Sequence, residues 1–285
     1  MLASLARSYA MGDRMEESNA WRNPIDLIAI LERAFDSLAA ALEAGRRAGQ
    51  KQGARGELTS ILLGDDPQAI VDAMLAALAA GYAGDELADA VAYAAALRIA
   101  RFPTSNEFGD WDTAHHSFTF SNALSQAMRR APSPELLRAV FDAAMSVYLD
   151  RFLNVPAAKL PHPNGSARGA GELLDAMPAL LDRQQQVNPA GELVAQFLHS
   201  RGEPAAILAA LGHALLREDR DFHTIQNVEA AFRQYSRFAG SEAGTHVLVA
   251  TARYLAAHSP TNRAQGQTYQ IALRLNRGER LFEEE

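Results

Sequence analysis

The stretch DPQAIVDAMLAAL (Asp66–Leu78) carries apolar residues at the spacing of an α-helix, and EPAAILAALGHAL (Glu203–Leu215) follows the same plan. In both, a proline follows an acidic residue and falls at the first position of the predicted helix, where its missing N–H costs nothing. Apolar residues recur at helical spacing along almost the whole chain, and alternating β-branched runs are hard to find. The sequence therefore predicts an all-α protein, a multi-helix bundle.

Eleven helices are expected from this periodicity and from the capping residues that precede it. They cover residues 24–47, 67–82, 86–101, 112–130, 134–153, 171–184, 190–200, 204–217, 223–237, 242–257 and 262–277. Ser-Pro pairs at Ser133 and Ser259 are expected to cap two of them. The basic, glycine-rich stretch Gly45 to Gly56 is expected to be a solvated connector.

The domain organisation is predicted as an N-terminal extension, residues 1–23, followed by a single helical domain, residues 24–285. Each half contains, in the same order, a helix that starts with proline, a helix that ends in Arg-Phe, a helix that carries histidine, and a Ser-Pro pair. This recurrence suggests an internal duplication. The two halves, about 57–155 and 171–277, would be joined by a loop rich in Pro and Gly at 156–170 and would pack around a central pocket.

Composition excludes several classes of protein. The chain has no cysteine, which excludes disulfides, cysteine-ligated zinc, thiolate haem and an iron–sulfur cluster held within the chain. A net charge of −7 argues against a nucleic-acid partner, since that affinity normally rests on clustered Lys and Arg. No segment has the composition of a secretory signal or a membrane span, so a cytoplasmic location without membrane association is expected.

The segment GDWDTAHHSFTF (Gly109–Phe120) contains two adjacent histidines. On a helix that begins near Asp112, His116 shares the expected buried stripe with Phe120, whereas His115 points to the periphery. The Asp112 carboxylate lies four residues before His116 and could orient its ring, as carboxylates orient catalytic or metal-bound imidazoles. The simpler alternative is that Asp112 only caps the helix and His116 is a hydrogen-bonded core residue.

Further histidines lie on helices that are expected to be buried, and a shared polar centre would explain them together. Such a centre could be a non-haem metal site, a haem pocket with a histidine ligand, or a pocket for a polar organic molecule, so iron and haem are the cofactors considered. No spacing matches a strong metal signature. Histidines that end helices or lie in the loop are set aside: His162, His199 and His258.

Site residues follow from this interpretation. The candidate acid/base groups are His116, His223 and Asp112. The candidate metal ligands are His116, His213, His223 and His246. The candidate walls of a hydrophobic substrate pocket are Trp111, Phe120, Phe222 and Tyr254.

Four segments carry a resemblance to known proteins: GDWDTAHHSFTFSNAL, VYLDRFLNVPAAKLP, HALLREDRDFHTIQNVEAAFRQY and RLNRGERLFEEE. Here the chain resembles a helical region of bacterial proteins that carry a Rieske iron–sulfur domain, and it is more distantly similar to questin-oxidase-like proteins. The resemblance implies redox chemistry, in particular oxygenation, but assigns no site residues. Since a Rieske centre needs two cysteines and this chain has none, the iron–sulfur module would be missing here or would be a separate electron-transfer partner.

Two functions are therefore expected. The first is an oxidoreductase of oxygenase type that acts on a small hydrophobic substrate in a histidine-lined pocket. The alternative is a non-catalytic helical scaffold or small-molecule-binding protein that interacts with a redox partner.

Overall fold

The computed structural model describes residues 25–162 and 168–280, and within these ranges every regular element is helical. The elements in chain order are α1 (Leu27–Ala48), α2 (Ala54–Leu62), α3 (Pro67–Ala79), α4 (Gly84–Ala100), α5 (Phe108–Arg130), α6 (Pro134–Leu149), a short 3-10 helix (Asp150–Asn154), α7 (Ala170–Leu181), α8 (Val187–His199), α9 (Pro204–Arg217), α10 (Phe222–Phe238), α11 (Glu242–Ala257) and α12 (Ala264–Asn276). The all-α prediction is confirmed. The predicted extension, residues 1–23, lies outside the described residues.

Two helix starts use the side-chain caps that the sequence predicts. Asp66 accepts hydrogen bonds from the first-turn amides of α3, and Ser133 does the same for α6. Two expectations are wrong. Ser259 caps no helix, because α12 begins only at Ala264, and the end of the expected connector already belongs to α2. That helix buries Leu58, and its start at Gly53 needs a left-handed backbone that glycine adopts freely.

The centre of the bundle is α4, which is buried on nearly all sides. Its many alanines let neighbouring helices approach closely, and α2, α5, α6 and α11 all pack against it. Consecutive helices α4 and α5 form one antiparallel pair, and α10 and α11 form another. The two pairs pack against each other so that α4 contacts α11 and α5 contacts α10. A two-fold axis that relates one pair to the other would give this arrangement. The internal duplication stays a prediction.

No described helix is both long enough and apolar enough to cross a lipid bilayer.

Gly81 is expected to be indispensable for packing between α1 and α3. Its φ is +101°, and a Cβ placed there would lie 1.9 Å from the carbonyl oxygen of Gly49. Gly81→Ala should therefore lower the free energy of unfolding by about 2–4 kcal/mol through backbone strain and steric overlap. Urea unfolding of the variant measures this. The matched control is Gly56→Ala on α2, where nothing lies within 4 Å of a new Cβ; a similar loss in both variants would contradict the explanation.

Candidate functional site

The helix that carries the paired histidines, α5, begins four residues earlier than expected. Its N-terminus is a capping box, in which the side chains of Glu107 and Asp110 bond reciprocally to backbone amides, so Asp112 is not the cap. The buried face of α5 carries Trp111, His115 and Phe118. His115 is fully buried and His116 is exposed, so the expected roles of the two are reversed.

Three helices place polar side chains against one another in the interior. Each contributes a stripe at helical spacing, and each stripe includes residues that are fully or almost fully buried. The stripes consist of His115, Asn122 and Ser125 on α5, His223, Asn227 and Gln234 on α10, and Thr251, Tyr254 and His258 at the end of α11. We call this feature the polar seam.

The polar seam is joined by hydrogen bonds between helices. The Asn227 amide donates to His115 Nδ1 over 3.3 Å, and the Gln234 amide donates to Asn122 Oδ1 over 3.0 Å. At its far end, Ser125 donates to Asp89, whose carboxylate also pairs with two arginines of α5 and α10. The ion pairs of Asp89 with the two arginines join α4, α5 and α10 at this end. The other end of the polar seam carries most of its imidazoles.

At that other end, four imidazoles and a phenol come together, and we call this group the histidine cluster: His115, His116, His223, His258 and Tyr254. Ring centroids of His116 and His223 are 5.1 Å apart, and those of His115 and His223 are 5.6 Å apart. The Tyr254 ring stacks between His115 at 5.0 Å and His258 at 4.1 Å. The rings therefore form one continuous group that reaches from the interior to the surface.

A carboxylate lies against this cluster. The Tyr254 hydroxyl donates to Asp112 Oδ1 over 2.7 Å, and His258 Nε2 lies 3.6 Å from the same oxygen. The other nitrogen of His258, Nδ1, donates to the Tyr254 carbonyl over 2.8 Å, which fixes the ring. A neutral His258 therefore presents an unprotonated Nε2 beside Asp112, and a proton taken up there would be stabilised by the carboxylate.

The surroundings favour neutral imidazoles. Burial, followed by the neighbouring imidazoles His116 and His223, lowers the pKa of His115 to about 3. Desolvation of the ring also lowers the pKa of His116, with His223 adding to the effect, although the residue as a whole is exposed. Burial lowers the pKa of His258 as well, against the opposing effect of Asp112. Burial and the Asp112 contact raise the pKa of Tyr254, so its proton is retained at neutral pH.

Several buried polar atoms in the polar seam have no hydrogen-bond partner among the described residues. They include His115 Nε2, Asn227 Oδ1, Gln234 Oε1 and Thr251 Oγ1. Because Asn227 donates to Nδ1 of His115, the proton of a neutral His115 is on Nε2. The polar seam therefore offers a buried donor, His115 Nε2, and a buried acceptor, Asn227 Oδ1, groups that proteins normally satisfy with ordered water or a ligand.

A cavity of about 320 Å³ opens beside the histidine cluster. His258 and Trp111 line it together with Asn106, Val187 and Ala257. A second cavity, of only about 90 Å³, lies at the start of α10 and is also lined by His258. His258 thus lines both cavities, of which the first has room for a small organic molecule.

The structure brings together some of the predicted site residues and separates others. Asp112, His116 and His223, the predicted acid/base groups, belong to one site. His213 is exposed on α9, contrary to the expectation that it is buried, because its side of that helix faces outward. His246 bonds instead to the Tyr93 hydroxyl on α4, 2.8 Å away. In residues 25–162 and 168–280, no group of three or more His, Asp or Glu is placed to hold a metal ion.

Of the four aromatic residues predicted to wall a substrate pocket, two lie at the site and two lie elsewhere. Trp111 lines the cavity and Tyr254 is buried within the cluster. Phe120 packs against the hydrophobic core, and Phe222 is 67% exposed because it is the first residue of α10 and extends beyond the bundle. Among the residues that were set aside, His258 is central, and no sequence pattern distinguished it from an ordinary helix-end histidine.

A larger cleft of about 670 Å³ lies elsewhere, between α8, α9 and the start of α11. His246 faces it, with Nε2 located 3.8 Å from Glu242, and much of the remaining wall is apolar. Two of the histidines that were set aside, His162 and His199, are also on this wall.

Comparison of the chain with family models, with curated proteins and with solved structures finds no match.

Proposed function

We propose that the protein is an oxidoreductase of oxygenase type that acts on a small, largely hydrophobic substrate at the histidine cluster. The observation that carries this proposal is the contact of Asp112 with both Tyr254 and His258, beside a cavity lined by Trp111. This arrangement provides a proton acceptor, a charge that stabilises it once protonated, and a cavity of mixed polar and apolar lining beside the His258 ring.

The proposed chemistry begins with proton removal. A substrate in the cavity that carries an acidic O–H or C–H group would transfer its proton to Nε2 of His258, and the Asp112 carboxylate would stabilise the imidazolium that forms. Tyr254 keeps its own proton and holds Asp112 in place. The resulting substrate anion would donate two electrons to dioxygen as a carbon–oxygen bond forms, and the peroxide anion would take back the proton held by His258. Substrate and dioxygen would thus give a hydroperoxide, with no further reductant consumed in this step.

The buried donor at His115 and the buried acceptor at Asn227 have a role in the same scheme. A polar group of the substrate, or a water molecule that bridges to it, would satisfy both atoms and orient the substrate relative to His258. His116 and His223 lie nearer the surface, where their rings can pass the proton on to solvent.

Oxygen consumption tests this function. Wild-type protein is presented with a panel of small hydroxylated aromatic compounds and ketones, with and without a reduced Rieske-type electron-transfer protein. We expect substrate-dependent oxygen uptake that falls by about 100-fold or more in His258→Asn, because the proton acceptor is removed. The matched control His199→Asn changes a histidine outside the cluster and should retain the rate. Equal rates in wild type and His258→Asn would contradict the proposal.

The second candidate function is binding of a small molecule without catalysis, and the large cleft beside His246 favours it. Its apolar wall and its imidazole suit an apolar molecule with one hydrogen-bonding group. Binding that is lost in His246→Ala but unaffected in His258→Asn would favour this function over the oxygenase.

A further inference from the structure

Arg253, on α11, is a buried cation that forms no ion pair with any residue in the described ranges 25–162 and 168–280. Its side chain is only 1% exposed. Burial lowers its pKa to about 10, against the opposing charge of Glu192 on α8, so the guanidinium stays positive at neutral pH. A buried charge is costly to the folded protein unless an opposite charge lies beside it. Arg253 therefore has the character of an anion-binding residue.

Two neutral oxygens use part of the hydrogen-bonding capacity of this guanidinium. Nη1 donates to Asn188 Oδ1 and Nη2 donates to the Phe102 carbonyl, each over 2.6 Å. An arginine has five N–H groups and two are used here, so three remain, including that of Nε, which has no partner among the described residues. These bonds fix the plane of the guanidinium, but they leave its positive charge uncompensated.

The Arg253 side chain lies at the wall of a cavity of about 500 Å³, which we call the arginine cavity. It is bounded by α8, by α11 and by the chain that follows the short 3-10 helix. Polar side chains on its wall are Lys159, Asn188 and Gln196, and apolar surface comes from Leu160 and Pro161. It shares no lining residue with the cavity beside the histidine cluster. The two cavities are therefore separate sites.

The charges on the wall favour an anion that carries a single negative charge. Arg253 and Lys159 are positive, and Glu192 is negative. A phosphate group would bring close to two negative charges next to Glu192, whereas a carboxylate brings one. A guanidinium also suits a carboxylate geometrically, because its N–H groups match the two carboxylate oxygens.

We propose that the arginine cavity binds a small organic monocarboxylate. The carboxylate would pair with Arg253 and accept a hydrogen bond from the side-chain NH2 group of Asn188, whose Oδ1 already accepts from the guanidinium. The carbon skeleton of the ligand would lie against Leu160 and Pro161. This site does not depend on the reaction proposed at the histidine cluster.

Isothermal titration calorimetry with the full-length chain at pH 7 tests the site. The probe is sodium benzoate, and benzamide, which has the same ring without the charge, is the matched control ligand. We expect the Kd of benzoate to be at least about 10-fold lower than that of benzamide, because only the carboxylate makes charged hydrogen bonds with the guanidinium.

Variants locate the bound benzoate. Arg253→Met should weaken its binding by about 10-fold or more. Lys159→Ala should weaken it by about 3-fold and Glu192→Gln should strengthen it by about 3-fold, because exposed charges act through solvent. The matched controls Lys51→Ala and Glu32→Gln change exposed charges that do not line the cavity, so they should leave the Kd unchanged.

Equal affinity for benzoate and benzamide would overturn the proposal. So would a benzoate Kd that neither Lys159→Ala nor Glu192→Gln changes. Circular dichroism checks the fold, and if Arg253→Met does not fold, these two exposed variants decide the question alone. His258→Asn should bind benzoate as the wild type does, so failure of this site and failure of the proposed oxygenase are distinguishable.

Discussion

Acidification from pH 7 to pH 4 is expected to lower the free energy of unfolding by about 3 kcal/mol through His115 alone. Its pKa in the folded protein is about 3, against 6.5 for an ordinary histidine. Between these values the unfolded chain binds a proton that the folded protein does not, so stability is lost as the pH falls below 6.5. The cause is the buried position of the ring in the polar seam.

Asp150 has the opposite effect over the same range. Burial raises the pKa of this carboxyl to about 7, from 3.8, against the opposing effects of Ser117 and Arg98. The folded protein then holds a proton that the unfolded chain releases, so stability increases as the pH falls from about 7 to about 4. The two contributions are similar in size and largely cancel in the wild type.

Two variants separate these contributions. On acidification from pH 7 to pH 4, the free energy of unfolding of His115→Gln should rise by about 3 kcal/mol relative to that of wild type. The free energy of unfolding of Asp150→Asn should fall by about the same amount relative to wild type. Urea unfolding at pH 4, 5.5 and 7 measures both. His213→Gln, at an exposed position on α9, is the control and should follow the wild type. A pH profile of His115→Gln identical to that of wild type would show that the ring is not held neutral by burial.

Asp112→Asn is expected to lower the rate of the proposed reaction by about 100-fold while leaving the fold intact. The Tyr254 hydroxyl can still donate to the amide oxygen, so the position of Tyr254 is kept. The negative charge next to His258 is lost, however, and an imidazolium formed there is no longer stabilised. The effect should fall on kcat more than on KM, because the charge matters only once the proton has been transferred.

Oxygen uptake at saturating substrate, together with thermal unfolding, measures this effect. The matched control is Asp36→Asn, an exposed aspartate on α1. If Asp112→Asn keeps the wild-type rate, or loses activity only in proportion to lost folded protein, the carboxylate has no part in the chemistry.

The fold could be predicted because helical periodicity and capping residues are local signals. Asp66 and Ser133 begin α3 and α6 as expected. The missed helix, α2, is short and follows a run of Gly, Arg and Lys, a composition that is typical of a connector. Its burial depends on packing against α4, which is a tertiary contact that the sequence does not display.

The candidate site could be predicted only in part. Asp112, His116 and His223 were singled out, but the buried face of α5 was assigned to the wrong residues. The reason is that this face carries Asn122 and Ser125, so the rule that buried residues are apolar fails there. His258 was missed because its place in the site comes from the contact of the end of α11 with Asp112 on α5, which is set by the packing of the whole bundle.

A fragment screen followed by NMR of histidine-labelled protein tests the central claim most directly, namely that the histidine cluster is where a small molecule binds. Imidazole signals are assigned with single His→Asn variants, and hydroxylated aromatic fragments are added in turn. We expect the fragments that bind to shift the signals of His116, His223 and His258 and to leave those of His213 and His246 unchanged. Fragments that shift only His246, or no histidine of the cluster, would contradict the claim.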